Sequence, residues 1–252
     1  MDTKLNSLEE QVKCNKCNDT GWIFVKEGVV KCKCQLESLS ESLLDRMRIP
    51  KRYREKSFTN YAPERKFNQH LVLQRARSYV NSKEFDNGKG LFLFGPPGVG
   101  KTHLAVSILK EFFLKRKIVG LFRDTRTLLF DLKATFEGYG SGREILDEVL
   151  DTPLLVLDDL GNEMLSDWAK DILHYIIINR YNELKPIIIT SNTPLNKRNP
   201  DEIDIEDKLG GAIASRLKEM TDFIEIKGKD ARVDNPILKR VKEEEEDENE
   251  NS

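Results

Sequence analysis

The segment GLFLFGPPGVGKTHL, residues 90–104, places a short apolar strand directly before a glycine-rich loop and a helical pattern. Residues 95–102 within it match G-x-x-x-x-G-K-[ST], the pattern of a phosphate-binding loop. Glycines let backbone N–H groups approach phosphate closely, and the helix N-terminus adds a positive dipole. We expect Lys101 to reach the β and γ phosphates and the Thr102 hydroxyl to complete a Mg²⁺ shell. The residues predicted to bind the nucleotide here are Gly95, Pro96, Pro97, Gly98, Val99, Gly100, Lys101, Thr102 and His103.

Two further strand ends are predicted to complete this site. The apolar run at residues 153–158 ends in Asp158, followed by Asp159. Parallel strands deliver their carboxyl ends to one sheet edge, so we expect Asp158 beside Mg²⁺ and Asp159 orienting or deprotonating the attacking water. Asp159 is alternatively a turn residue, because Asp-Leu-Gly favours a turn. Residues 186–190 form another apolar run, after which Asn192 is predicted to contact the γ-phosphate or the water, unless it serves only the turn.

Strands and helices alternate from about residue 67 to the edge strand expected at residues 222–227. Continuous apolar strands separated by helical patterns predict an α/β fold with a mostly parallel sheet and helices on both faces. The helices are predicted at residues 68–84, 101–116, 125–137, 143–150, 167–184 and 206–220. Residues 51–62 are predicted to be a basic extended segment.

All four cysteines of the chain lie in its first 34 residues, at Cys14, Cys17, Cys32 and Cys34. Two close pairs separated by a hairpin supply four thiolates, which suit a closed tetrahedral Zn²⁺ site. The C-x-C pair is less usual than C-x₂-C, so an Fe–S cluster or redox-active pairs remain alternatives. A segment this short buries little core, so the metal would supply its folding energy.

Composition excludes several classes of protein. Charged residues make up 33% of the 252, and no apolar run approaches the length of a membrane span. The N-terminus lacks the apolar stretch of a secretory signal, so we expect a cytoplasmic protein with no membrane partner. Residues 236–252 are predicted to be a disordered acidic tail, without which the net charge of −2 becomes positive and compatible with a polyanion partner.

Several blocks together resemble one family. GPPGVGKTHL, LLVLDDLGNE, KPIIITSN and IASRLKEM are similar to segments of the AAA+ ATPases of the bacterial helicase-loader type (DnaC/DnaI-like) and of the related IstB-like transposase-helper ATPases. The resemblance covers residues 57–235. It implies an AAA+ P-loop NTPase core that binds ATP/ADP and Mg²⁺ between neighbouring subunits, and hence self-association through the ATP site.

The resemblance also implies roles for two arginines. Arg216 corresponds to the arginine finger that reaches the γ-phosphate of the adjacent protomer, and Arg232 to the second sensor arginine. The predicted catalytic residues are therefore Lys101, Asp159, Asn192 and Arg216. Many AAA+ proteins carry Asp-Glu where this chain has Asp158-Asp159, and the shorter side chain suggests slow hydrolysis that suits a switch.

The domain organisation combines the composition and the cysteine pattern with this resemblance, which implies the partner-docking role of the first module. We expect a zinc-binding, partner-docking module at residues 1–50, a basic linker at 51–66, the AAA+ ATPase domain at 67–235 and the tail at 236–252. Phe58, Asn60 and Tyr61 resemble a stretch that flanks adenine in this family, although ordinary linker packing would explain them equally well.

The implied function is to load the hexameric replicative helicase onto single-stranded DNA. Alternatives are a transposition helper that delivers target DNA to a transposase, and an adaptor that hardly hydrolyses ATP. The candidate DNA contacts are Arg123, Arg126, Lys133, Phe136, Tyr139 and Arg143, with Lys51, Arg52, Tyr53 and Arg54 as a second set. The first set is alternatively a solvated helix face, with Leu129 and Phe130 in the core. His174 is expected to be a buried core histidine.

Overall fold

The computed structural model describes residues 16–17, 20, 22–25, 28–31, 41–136, 141–161, 165–197 and 199–232. The chain divides into two compact units, residues 1–46 and 47–252. In the first unit, strands β1 (Trp22–Val25) and β2 (Gly28–Lys31) form an antiparallel hairpin that pairs Trp22 with Lys31. Residues 41–46 belong to helix α1.

The second unit is built on a five-stranded parallel sheet with the order β4-β5-β6-β3-β7. The strands are β3 (Gly90–Phe94), β4 (Leu121–Asp124), β5 (Leu155–Asp158), β6 (Ile187–Ser191) and β7 (Thr221–Glu225). Because all five run in the same direction, β3, β5 and β6 deliver their carboxyl ends side by side. The predicted α/β class with a parallel sheet is confirmed, and β7 is the expected edge strand.

The helices connect and cover these strands. They are α2 (Gln69–Asn81), α3 (Lys101–Arg116), α4 (Thr125–Phe136), α5 (Gly142–Asp151), α6 (Asp167–Asn182), α7 (Ile205–Leu209) and α8 (Gly211–Met220), with 3-10 turns at Lys51–Tyr53 and Phe85–Asn87. The single helix predicted at residues 206–220 is wrong. It is divided at Gly210, whose φ of 89° interrupts the helix, and α7 starts with a reciprocal capping box between Asp204 and Asp207.

Burial on both sheet faces explains the continuous apolar strands. The paired residues Phe92 and Ile189 are fully buried on one face of the central strands, and the paired residues Leu91 and Ile188 are fully buried on the other. This rigid layer fixes the loops at the strand ends, where the predicted site residues lie.

Three local expectations are wrong. Residues 51–62 do not form a free extended segment, because they contain the turn Lys51–Tyr53 and bury Phe58 and Tyr61. His174 is exposed on α6 rather than part of the core. Phe130 is 71% exposed, whereas its neighbour Leu129 is buried as expected. Among the described residues, no helix combines the length and apolar character that crossing a bilayer requires.

Candidate nucleotide site

The glycine-rich loop connects β3 to α3 at the carboxyl edge of the sheet. Gly100 precedes the first residue of α3 with a φ of 95°, a conformation that costs glycine little. A Cβ at this position would also lie 2.6 Å from Cε2 of Tyr61, so both the backbone and its neighbour require glycine. The loop is therefore shaped by residues inside and outside the motif.

Lys101 bridges the phosphate loop and the end of β6. Its Nζ donates hydrogen bonds to the carbonyls of Gly95 at 2.8 Å and Pro96 at 2.7 Å, and to Oδ1 of Asn192 at 2.7 Å. Burial lowers the pKa of Lys101 to about 8, although Asp159 and Asp158 oppose the shift. The ammonium group is thus poorly solvated where we expect phosphate to bind.

Asp158 accepts two hydroxyl hydrogen bonds at the end of β5. Thr102 Oγ1 donates at 2.9 Å and Thr190 Oγ1 at 2.5 Å, both to Oδ1. Burial raises the pKa of the Asp158 carboxyl to about 6, and these hydrogen bonds only partly offset that effect. The structure thereby brings Thr102 and Asp158, the two predicted Mg²⁺ ligands, into direct contact.

Asp159 forms the predicted turn and also faces the site. Its φ is 61°, and its N–H donates to Thr190 Oγ1 at 2.9 Å. Asn192 Nδ2 lies 3.5 Å from Asp159 Oδ1, so the amide of Asn192 lies between Asp159 and the Lys101 ammonium group. The turn and the catalytic interpretation are therefore compatible.

Thr190 is a site residue that the sequence interpretation missed. It binds Asp158 through its hydroxyl proton and Asp159 through its hydroxyl oxygen, and so sets the relative position of the two acids. Its position directly before Ser191-Asn192 was a usable signal, because a polar residue inside a buried apolar strand needs a partner.

Residues 53–61 contact the same site from outside the motifs. Tyr61 donates to the Val99 carbonyl at 3.2 Å and packs edge-on against His103, whose Nε2 lies 2.8 Å from the Ser57 carbonyl. Tyr53 lies near Thr102 and Asp158: burial, then the Asp158 charge, raises its pKa. The Nε2 atom and the ring of His103 thus contact this segment.

The two predicted arginines lie in different surroundings. Arg232 is paired through Nε with Asp230 at 3.1 Å. The N–H of Ala231 donates to the carbonyl of Gly98 at 3.3 Å, which places residues 230–232 beside the phosphate loop. Arg216 lies on α8 with its Cζ 5.0 Å from the ring centroid of Tyr181. The structure thus groups Arg232, but not Arg216, with the phosphate loop of the same chain.

A groove of about 770 Å³ opens beside Asp159, between α4 and the start of α6. Arg126, Lys133, Phe130 and Trp168 line it. Arg123 is unsuited to a DNA contact, since its side chain is only 5% exposed and pairs with Asp131 at 2.9 Å. Tyr139, the side chain of Phe136 and the tail at residues 236–252 lie outside the described residues, while Arg143 is exposed.

The cysteine prediction falls mostly outside the described residues, since Cys14, Cys32 and Cys34 are not among them. Cys17 is buried, and its carbonyl accepts hydrogen bonds from the N–H and hydroxyl of Thr20. No group of three or more metal-binding side chains occurs within the described part of the chain.

A phosphate loop after the first strand of the parallel sheet, a hydroxyl–carboxylate pair and a polar residue on the adjacent strand define a nucleoside-triphosphate site of the P-loop class. The family model of the IstB-like ATP binding protein matches residues 33–238, and the chain belongs to this family.

Individual relatives agree with this assignment. The replicative helicase loader DnaC of Escherichia coli (strain K12) is 34% identical over 143 residues, which cover 56% of this chain and 57% of that protein. A protein of insertion sequence IS5376 in Geobacillus stearothermophilus, named for ATP binding, is 29% identical over 170 residues, 68% of this chain and 66% of that protein. The match to this loader thus spans little more than half of each protein.

A crystal structure of the DnaC helicase loader has the same fold. It superposes with a TM-score of 0.64 at 42% sequence identity and covers 71% of this chain and 100% of that chain.

Proposed function

We propose that the chain hydrolyses ATP slowly and uses its nucleotide state to load a hexameric replicative helicase onto single-stranded DNA in the cytoplasm. The observation that supports the catalytic part is the Lys101–Asn192 hydrogen bond beside the Thr102–Asp158 hydrogen bond. In our proposal, Thr102 and Asp158 hold Mg²⁺ and Asn192 contacts the γ-phosphate. The likeness to DnaC supports the loader role.

The residues fit ATP and Mg²⁺. The raised pKa of Asp158 shows that its ionised form is poorly compensated, and Mg²⁺ bound by Asp158 and Thr102 would neutralise charge on both carboxylate and phosphates. Lys101 would exchange its loop carbonyls for phosphate oxygens, which would restore solvation to its ammonium group. Asn192, which accepts a hydrogen bond from Lys101, would contact the γ-phosphate.

Asp159 is our candidate for orienting the attacking water. Thr190 holds its backbone, and Asn192 limits the movement of its carboxylate. The short aspartate side chain reaches less far than a glutamate would, so we expect slow turnover suited to a switch. A turnover rate in the range of fast motors would contradict this assignment.

The site is completed by a second copy of the chain in our proposal. Arg216 contacts Tyr181 rather than its own phosphate loop, which suits an arginine that acts on a neighbouring protomer. Arg232, beside the loop, would act on nucleotide bound to its own chain.

Single-stranded DNA is proposed to bind in the groove between α4 and α6. Arg126 and Lys133 supply positive charge. The exposed ring of Phe130 and the partly buried ring of Trp168 are available for base stacking. Compared with the contacts expected from the sequence, the groove keeps Arg126 and Lys133, omits Arg123 and adds the aromatic residues Phe130 and Trp168. Its position next to Asp159 would let DNA occupancy influence hydrolysis.

The N-terminal unit is proposed to hold one Zn²⁺ and to dock the helicase. The hairpin register pairs Lys31 with Trp22. In the sequence, Cys17 precedes this hairpin, and Cys32 and Cys34 follow it. Purified protein should contain one zinc per chain by elemental analysis, and Cys17→Ser should lose it. Iron and acid-labile sulfide, or no metal with the four cysteines intact, would contradict this.

A loading assay tests the whole proposal. The full chain, ATP and the cognate helicase are incubated with circular single-stranded DNA coated by single-strand-binding protein, and the helicase retained on the circles is measured. Retention should require the chain and fall to background with Lys101→Ala. Equal retention without the chain would contradict the proposal.

The transposition-helper alternative is favoured by the longer match to the insertion-sequence protein. It predicts that immobilised full chain captures a transposase, whereas loading predicts capture of the helicase. The adaptor alternative predicts no difference in ATP turnover between the wild type and Asp159→Asn.

A further inference from the structure

Helix α8 packs on the sheet through a stripe that includes the buried residues Ile213, Ala214 and Leu217. Arg216 and Glu219 are three residues apart, so both project from one side of this stripe. A single ring on α6, that of Tyr181, meets both of them.

Tyr181 contacts its two neighbours in different ways. The guanidinium carbon of Arg216 lies 5.0 Å from the centroid of the ring, within the range of a cation–π contact. The phenol hydroxyl donates a hydrogen bond of 2.7 Å to Oε1 of Glu219. The ring is therefore held at its hydroxyl while its face receives the arginine.

The backbone beneath Tyr181 is firmly anchored. The preceding residue, Arg180, is fully buried and donates to the carbonyls of Val149, Thr152 and Pro186 at 2.9, 2.9 and 2.7 Å. These bonds fasten the end of α6 to the end of α5 and the start of β6. A ring attached here has little freedom to move relative to the sheet.

We propose that Tyr181 is a positioning residue for Arg216, holding its guanidinium at the protomer surface in the orientation that a neighbouring copy's ATP requires. The inference rests on the proposed function, in which Arg216 acts in trans. Contact with a ring face leaves the N–H groups of the guanidinium free for phosphate oxygens, whereas a bidentate carboxylate would occupy them. Among the described residues, no carboxylate is paired with Arg216.

Glu219 supports this arrangement indirectly. Its carboxylate accepts a hydrogen bond from the Tyr181 hydroxyl, which fixes the ring. The same hydrogen bond engages the carboxylate that lies three residues after Arg216 on α8. Loss of the hydroxyl should therefore cost less than loss of the ring, which makes Tyr181→Phe the conservative variant and Tyr181→Ala the informative one.

The test uses mixed assemblies of full-length chains. A donor with Asp159→Asn keeps its phosphate loop and Arg216 but lacks the residue proposed to orient water. A recipient with Arg216→Ala keeps its own catalytic acids but lacks the finger. We expect each to be inactive alone and the mixture to regain ATP hydrolysis, because donors supply Arg216 to recipients.

Tyr181→Ala is then placed in one partner at a time. In the donor it should lower the restored kcat by about fivefold to tenfold, with little change in KM for ATP, because a contact of cation–π strength no longer orients the finger. In the recipient it should leave the restored rate within about twofold, since that chain's Arg216 is already absent. Tyr181→Phe in the donor should retain most of the rate.

Tyr175→Ala in the donor is the matched control, because Tyr175 is an exposed tyrosine on the same helix. Equal losses from Tyr181→Ala in donor and recipient would overturn the positioning role while leaving the shared site intact. If the parental mixture regains no activity, the shared site itself is wrong and the positioning role falls with it.

Discussion

Asp158 shows how burial prepares a carboxylate for a cation. Its folded pKa of about 6 lies above the ordinary value of 3.8, so the folded state binds a proton more tightly than the unfolded state. The wild type without Mg²⁺ should therefore gain stability as pH falls through 6 and lose it as pH rises. Asp158→Asn keeps an oxygen for Thr102 and Thr190 but removes the charge.

We expect Asp158→Asn to raise the free energy of unfolding at pH 8 without Mg²⁺ by as much as about 3 kcal/mol, the equivalent of two pKa units. Urea denaturation at pH 8 and pH 5 measures this, and the difference from the wild type should shrink at pH 5. Mg·ATP should stabilise the wild type but not the variant. Asp147→Asn, on an exposed carboxylate, is the control. A less stable Asp158→Asn at pH 8 would show that the charge is already compensated.

The lowered pKa of Lys101 predicts that nucleotide binding is accompanied by proton uptake. Burial lowers its pKa to about 8, so about half of the unliganded protein lacks this charge at pH 8. Phosphate oxygens favour the charged form, and nucleotide binding should therefore take up about half a proton at that pH. Titration calorimetry in two buffers of different ionisation enthalpy measures the uptake.

Lys101→Arg removes the titration while keeping a cation, so its binding heat should not depend on the buffer. Nucleotide affinity of the wild type should also fall as pH rises above 8. Buffer-independent heats for the wild type would mean that Lys101 is fully protonated before nucleotide binds.

At the level of elements, Arg180 joins three segments that are distant in sequence. Its guanidinium donates hydrogen bonds to carbonyls at the end of α5, in the following loop and before β6. Arg180→Met should cost about 3 kcal/mol of stability, because it leaves three buried acceptors without donors. Chemical denaturation checks this, with Arg143→Met on the exposed face of α5 expected to change stability by less than about 0.5 kcal/mol. A neutral Arg180→Met would mean that water replaces the guanidinium.

Several strands and helices could be predicted from the sequence. Strands β3, β5 and β6 were recognised because burial on both faces makes their sequences continuously apolar, and α3 follows directly from the phosphate-loop motif. The break between α7 and α8 was missed, although the pair Gly210-Gly211 is a turn signal. In the structure, Gly210 has a φ of 89° and interrupts the helix. Residues 51–62 appeared extended because their anchors, Phe58 and Tyr61, pack against residues far away in sequence.

At the scale of the whole molecule, some site residues could be predicted from local sequence, and others depend on packing between distant segments. Lys101, Thr102, Asp158 and Asn192 were predictable because each follows a strand whose end must lie at one edge of a parallel sheet. Thr190 had a signal, as a polar residue in a buried apolar strand, but the sequence did not show that it binds both acids. Tyr53 had none, because no spacing rule links it to the loop and only the folded chain brings it near Thr102 and Asp158. Motifs therefore identified residues that the fold brings together, and tertiary packing supplied the neighbours that hold them in place.

Assembly is the property of the whole molecule that the proposed site depends on most. If Arg216 completes the pocket of a neighbour, hydrolysis per chain should rise with protein concentration until subunits are saturated, because isolated chains lack the finger. Initial rates over a wide concentration range measure this, alongside sedimentation with ATP or ADP. Arg216→Ala should stay slow at every concentration while binding nucleotide as the wild type does, since the residue lies away from its own phosphate loop. A wild-type rate per chain that is constant down to the monomer would place the whole active site within one chain.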